Sequence, residues 1–255
     1  MAEVLAVSVH DAWLQAVQTA LQAAKNEVCP LVVTIQKPID TEAWDNPVAR
    51  RQVNALLKRS HRQPIENVAS TIFMQSLWHE SMSKENFYAR YFKVLPKLRR
   101  FPQNRKGIYL ERLIDYPGDQ NGSGLNQLDK IIEFYKAGTR RRSAFQATPY
   151  VPAKDLSGSP YLHFPCLQQV AFIPNGQTLT TTAFYPLHYL FERAYGNYLG
   201  LVHLGSFMAK EMGLKLERVV CVAGVAKLED STSMVRRFLE RSRAAKPDGA
   251  ASASE

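Results

Sequence analysis

Residues 166–185 read CLQQVAFIPNGQTLTTTAFY, and the architecture of the chain turns on them. Two runs rich in β-branched and aromatic residues flank Asn175-Gly176, a dipeptide that favours the tight turns of β-hairpins. The pattern predicts strands over 166–174 and 177–185, paired antiparallel. Cys166 opens the first of them directly after Pro165. A thiol there is either a small packing residue or a nucleophile held at the start of a strand.

On the N-terminal side, Trp13, Val17, Leu21 and Ala24 lie at helical spacing within 9–25. PLVVTIQ at 30–36 reads as a strand. Residues 50–59 and 68–78 read as helices, and a further helical run through Tyr88 and Phe92 should end at Pro96. Residues 115–124, DYPGDQNGSG, read as a loop. Leu125, Leu128, Ile131, Ile132 and Tyr135 form one helical stripe, with Gly138 placed to follow the helix end. A short strand at 143–150, a helix over 196–214 and an apolar strand over 218–228 complete the pattern. This is a mixed α/β (α+β) chain with antiparallel pairing. Residues 1–245 form one domain, and an Ala/Ser/Gly-rich tail at 246–255 is expected to be disordered.

The chain has 255 residues, 45% of them hydrophobic and 22% charged, enough for a sizeable core. The net charge of +9 favours anionic partners, either small molecules and nucleotides or nucleic acid. The longest basic run of one residue type is Arg140-Arg141-Arg142, whose guanidinium forks suit phosphate oxygens. No apolar run is long enough for a membrane span, so no membrane partner is expected. The first residues lack the basic start of a signal peptide. The three cysteines are too few and too odd in number for a disulfide scaffold, and a cytoplasmic location is expected. No His/Cys group has zinc-ligand spacing, and no Gly-rich phosphate loop is present. His163, three residues before Cys166, would face away from the thiol on a strand.

Beyond these readings, the C-terminal half resembles the thymidylate synthase family, including its relatives that hydroxymethylate pyrimidine nucleotides. In FPCLQQVAFIPNGQTL, a cysteine follows proline and leads into strand, Asn-Gly turn and strand, with Cys166 in the nucleophile position. The run YGN places Asn197 where the family's asparagine recognises the pyrimidine base, with no gap after Cys166. In KAGTRRRSAF, Arg140 and Arg141 stand where the family's paired arginines reach the 5′-phosphate bound by the partner subunit. Asn126 and Gln127 sit where the family often has Asp-Gln, and a structural role is expected for them. The likeness spans roughly residues 125–229. It implies a largely antiparallel mixed sheet flanked by helices, and a homodimer packed through that sheet.

The departures fall in the pocket. Pro186, Leu187, His188 and Tyr189 replace the family's Arg-Ser-x-Asp, and Lys227 and Glu229 replace its sugar-binding His and Tyr. The family's glutamine five past the cysteine is Ala171 here, though Gln168 and Gln169 stand close. Losing an arginine at Pro186 costs phosphate affinity, a charged hydrogen bond contributing about 1.5–3 kcal/mol. The resemblance therefore implies a pyrimidine C5 methyl- or hydroxymethyltransferase with an altered substrate. Cys166 would add to C6, with His188 as a candidate proton carrier. Asn197, Arg140, Arg141, Gln169, Lys227, Glu229 and Tyr189 would contact the substrate. The implied one-carbon source is 5,10-methylenetetrahydrofolate. The alternatives are a non-catalytic nucleotide- or nucleic-acid-binding descendant, or a protein-interaction platform on the same fold.

Overall fold

The computed structural model describes residues 1–37, 43–117, 124–159, 164–229 and 232–244. The expected tail at 246–255 and most of the 115–124 loop lie outside the described residues.

The described strands are β1 (Ala2–Ala6), β2 (Glu27–Val28), β3 (Leu31–Gln36), β4 (Gln146–Ala147), β5 (Gln169–Asn175), β6 (Thr178–Tyr189) and β7 (Lys215–Lys227). The described α-helices are α1 (Val9–Gln22), α2 (Pro47–Arg59), α3 (Ile65–Ile72), α4 (Lys84–Leu98), α5 (Tyr109–Ile114), α6 (Gln127–Lys136), α7 (Pro152–Asp155), α8 (Tyr195–Met212) and α9 (Thr232–Ala244). The strands form one mixed sheet in the order β1-β3-β7-β6-β5-β4, with β2 pairing β7. β1–β3 and β6–β7 are parallel; the other pairs are antiparallel. The hairpin forms with a one-residue shift from the expected turn. Asn175 pairs with Thr178, so Gly176 and Gln177 make the connection. Gly176 has φ +57°, a conformation that side chains with a Cβ rarely adopt, and glycine at the first turn position suits a two-residue hairpin.

Strand alternation gives the sheet two unlike faces. On one, Leu31, Val33, Ile35, Val170, Phe172, Leu179, Ala183, Tyr185, Val219, Cys221 and Ala223 are buried. α8 is part of the layer beneath them, and it is buried nearly all round. An apolar helix without a polar stripe can only sit inside a domain. α3 crosses α8 where small residues allow close approach: a Cβ on Gly200 would lie 2.8 Å from the Ala69 carbonyl oxygen. α1 completes this side. Ser8 caps it by accepting from the Asp11 backbone N–H, and buried Trp13 donates from Nε1 to the Leu190 carbonyl at 2.8 Å.

The other face has no helical layer among the described residues. Register places Val32, Val222, Phe184 and Gln169 in one row across it, and Leu5, Thr34, Val220, Thr182, Ala171 and Gln146 in the next. Phe184 and Ile173 are each 40% exposed and Leu5 is 71% exposed. The sheet is therefore open on one side.

Several boundaries differ from the sequence expectation. β1 carries no strand signal in the sequence, because five residues at an edge give little periodicity. The expected helix at 68–78 stops at Ile72 and becomes a 3₁₀ turn at Gln75–Leu77. α4 runs through Pro96, since the ring sits in the last turn. There the missing N–H deprives the carbonyl of Phe92 of a helical donor, and Phe92 is exposed enough for water to replace it. The expected strand at 143–150 is reduced to Gln146–Ala147, preceded by a 3₁₀ turn. Five residues, Leu190–Ala194, form a π-helical segment leading into α8. Among the described residues no helix is long and apolar enough to cross a membrane.

Candidate active site

Cys166 does not lie on a strand. It sits in an irregular segment three residues before β5, so its position depends on side chains from elsewhere. α5 supplies them. The Tyr109 hydroxyl accepts from the backbone N–H groups of Cys166 at 3.0 Å and Leu167 at 3.3 Å. Its ring packs on Phe164 with centroids 4.9 Å apart. One turn along α5, buried Arg112 forks onto both carboxylate oxygens of buried Asp155. The same guanidinium donates to the carbonyls of Pro149 and Lys106 and lies 4.8 Å from the Phe164 ring centre. Asp155 also accepts from the Val151 N–H at 2.7 Å. Removing one partner would strand a buried charge, at a cost of about 3–5 kcal/mol.

A second clamp works on the neighbouring segment. Gln127, in the first turn of α6, donates to the carbonyls of Arg112 and Thr148 and accepts from the Thr148 N–H. Thr148 in turn donates from Oγ1 to the Gln168 carbonyl at 2.7 Å. Asn126 caps α6 through the Asp129 N–H. The structural role expected for Asn126 and Gln127 is the one they have.

The Cys166 thiol is partly buried and packs against the core. Burial pushes its pKa up, while the positive charge of Arg193 and a hydrogen bond from Tyr109 pull the other way. The cation beside this sulfur is thus Arg193, from the π-helical segment, rather than the triple arginine. Arg140, Arg141 and Arg142 lie at the chain's approach to the edge strand β4, close to the open sheet face. Arg141 and Arg142 are exposed and Arg140 is half-buried, with Arg141 donating to Ser143.

His188 and Asn197 meet. The Asn197 amide lies 3.0 Å from His188 Nε2, and both residues are almost fully buried. Tyr185 stacks on the imidazole at 4.4 Å, Tyr198 meets it edge-on at 5.6 Å, and Cys221 Sγ is 3.9 Å from Nδ1. In this apolar cage, burial lowers the pKa of His188 to about 3, so the ring is neutral and accepts from the amide. Burial also raises Cys221 and the Tyr185 and Tyr198 hydroxyls, and Tyr185 feels the charge of both Tyr109 and Cys166. The thiol and the His188–Asn197 pair therefore border one aromatic cluster.

The remaining candidates are dispersed. Gln169 is exposed on the open face and bonds to Gln146. Lys227 pairs with Glu27 at 2.8 Å, across the β2–β7 register, next to Tyr189 on β6. Glu229 uses both carboxylate oxygens to accept from the N–H groups of Phe191 and Glu192, capping the start of the π-helical segment. His163 lies outside the described residues. Sequence reasoning misses the residues that hold Cys166. Arg112 is the one cation in the apolar run YLERLI, and Arg193 stands within FERAYGN, just ahead of the matched asparagine; each is a signal that only spatial proximity makes legible.

The protein-facing side of Cys166 is filled by Tyr109, Phe164 and core packing. The described residues thus leave no bed for 5,10-methylenetetrahydrofolate against the thiol, and no step is routed through it. Comparison with protein-family models gives no match, and no curated protein sequence matches the chain.

Two outcomes follow from this electrostatic arrangement. In a Cys29→Ser background, which removes the exposed thiol, Arg193→Ala should slow alkylation of Cys166 at neutral pH by roughly three- to tenfold. The pH–rate midpoint should move upward; an unchanged profile means that Arg193 does not act on the sulfur. The second outcome concerns His188, faced by Tyr185, Tyr198, Cys221 and Asn197. Its folded pKa lies below the ordinary 6.5, so the unfolded chain takes up a proton first as pH falls. The contribution to stability is full above pH 6.5 and declines toward pH 3, by about 1.4 kcal/mol per pH unit. Urea denaturation across that range should show a shallower decline for His188→Gln than for the parent; identical slopes would contradict a neutral buried imidazole.

Proposed function

We propose that the chain is a diverged enzyme of the thymidylate synthase type, with Cys166 as nucleophile toward C6 of a pyrimidine nucleotide or a modified relative. The observation that carries this reading is the anchoring of the Cys166 backbone by the Tyr109 hydroxyl, with the Arg193 charge beside the sulfur. A flexible surface thiol would need neither. In the proposed step the thiol loses its proton and sulfur bonds to C6. The C5–C6 electron pair moves into an enolate at O4, and C5 then attacks a one-carbon electrophile. Loss of the C5 proton expels the sulfur and restores the ring. Asn197, anchored by His188 in the adjoining cluster, would orient the base edge.

The proposal includes a homodimer. The open sheet face carries Val32, Val220, Val222, Phe184 and Ile173, and a second copy packed there would cover them. Arg140 and Arg141, beside that face, would then be free to reach the partner's phosphate site. A second reading is a non-catalytic nucleotide- or nucleic-acid-binding descendant. It is favoured by the engagement of Asn197 with His188 and by the arginine run at the surface.

Intact-mass spectrometry after incubation with 5-fluoropyrimidine nucleotides, with and without methylene-folate, separates the two. The enzyme reading expects a mass increase of one nucleotide on the parent chain and none on Cys166→Ser. Salt-sensitive binding without an adduct would transfer support to the binding descendant. Sedimentation should find the parent as a dimer and Val222→Glu as a folded monomer, because a carboxylate in the middle of the face is buried unpaired on association. A monomeric parent would remove the dimer from the proposal.

A further inference from the structure

A second site lies on the far side of α8 from Asn197. A cavity of about 300 Å³ is lined by Trp44, Asp45, Gln75, Trp78 and His203, among others. This is the lower end of the usual range for small-molecule pockets, roughly 300–1,000 Å³. Its polar atoms are unsatisfied. Trp78 is 7% exposed, yet its Nε1–H has no hydrogen-bond partner among the described residues. The same holds for Asp45 Oδ2, Gln75 Oε1 and His203 Nδ1, all buried at the atom level. Asp45 Oδ1 is occupied by the Tyr195 hydroxyl at 2.7 Å, and the nearest cation to Oδ2 is Arg50 Nε at 3.5 Å.

Buried polar groups are nearly always satisfied, and four orphans converging on one cavity point to a missing partner. Their chemistry describes it. Asp45 and Gln75 offer acceptors and so call for N–H donors. Trp78 offers a donor and calls for an acceptor. Burial keeps His203 neutral, so it can serve either way. Two indoles, Trp44 and Trp78, supply flat apolar surface. Two carboxylates, Asp45 and Glu80, face a single guanidinium, Arg50, in the lining, which disfavours a phosphate.

We infer that this cavity binds an uncharged, amino-substituted nitrogen heteroaromatic ring of the adenine type, with its amino edge on Asp45 and Gln75 and a ring nitrogen on Trp78. The site is separate from Cys166 and independent of the proposed chemistry there.

Adenosine is the probe, read by quenching of tryptophan fluorescence and checked by calorimetry. Saturable binding is expected, with inosine, which lacks the amino group, about tenfold weaker, and adenosine monophosphate no tighter than adenosine. Trp78→Phe keeps the packing and deletes the N–H, and should weaken binding by about tenfold. Ser206→Leu fills the cavity from α8 and should abolish binding while leaving the fluoropyrimidine adduct at Cys166 unchanged; circular dichroism confirms that it folds. No saturable binding of adenosine in the millimolar range, equal affinity for inosine, or undiminished binding by Ser206→Leu would overturn the inference.

Discussion

The buried fork between Arg112 and Asp155 is the constraint on which the candidate active site depends. Between β4 and β5 the described chain has little regular structure, so the backbone ladder cannot hold Cys166 in place. One guanidinium does the work of a ladder, gathering the carboxylate of Asp155, two carbonyls and the face of Phe164. Arginine is suited to this because five N–H groups in a fixed plane can serve several acceptors at once. Tyr109, on the same short helix, then fixes the backbone on either side of the thiol. Position at the sulfur is thus inherited from a helix of six residues.

The same economy governs the sheet. Its closed face is set by α8, which has no polar stripe and must be enclosed, and by the small residues that let α3 approach it. Its open face mixes valine, phenylalanine and threonine with arginine and glutamine, a composition between core and solvent surface. Such a face is neither sealed by this chain nor wholly polar, which is why association with a second copy belongs to the functional reading. The arginine run stands beside it, where its charge is available to an anion.

Electrostatics separate the two thiols on the closed side. Cys221 is fully enclosed, with neutral His188 as its polar neighbour, and its proton is held firmly. Cys166 stands at the boundary of the same aromatic cluster, where burial and Arg193 act in opposite directions. Glu229, expected in a pocket, instead holds the turn that presents Arg193, so its effect on the site runs through backbone geometry. Lys227 is paired with Glu27 at the far end of β7.

Local elements are legible in the amino-acid order alone: the hairpin around Gly176, the stripe and cap of α6, the apolar helix α8 and the apolar strand β7. Each follows from periodicity, turn chemistry or capping within a few residues, and these are short-range effects. The order of residues also marks Cys166 and the His188–Asn197 neighbourhood. It takes the folded chain to establish that Tyr109, Arg112 and Asp155 hold the thiol, that Arg193 is its cation, and that Lys227 and Glu229 are engaged in an ion pair and a cap. Those contacts join residues tens of positions apart, and a hydrogen bond or ion pair between them leaves no periodic trace along the chain. The cavity beneath Trp78 is of the same kind, since an unsatisfied buried atom exists only once the surrounding elements have closed around it.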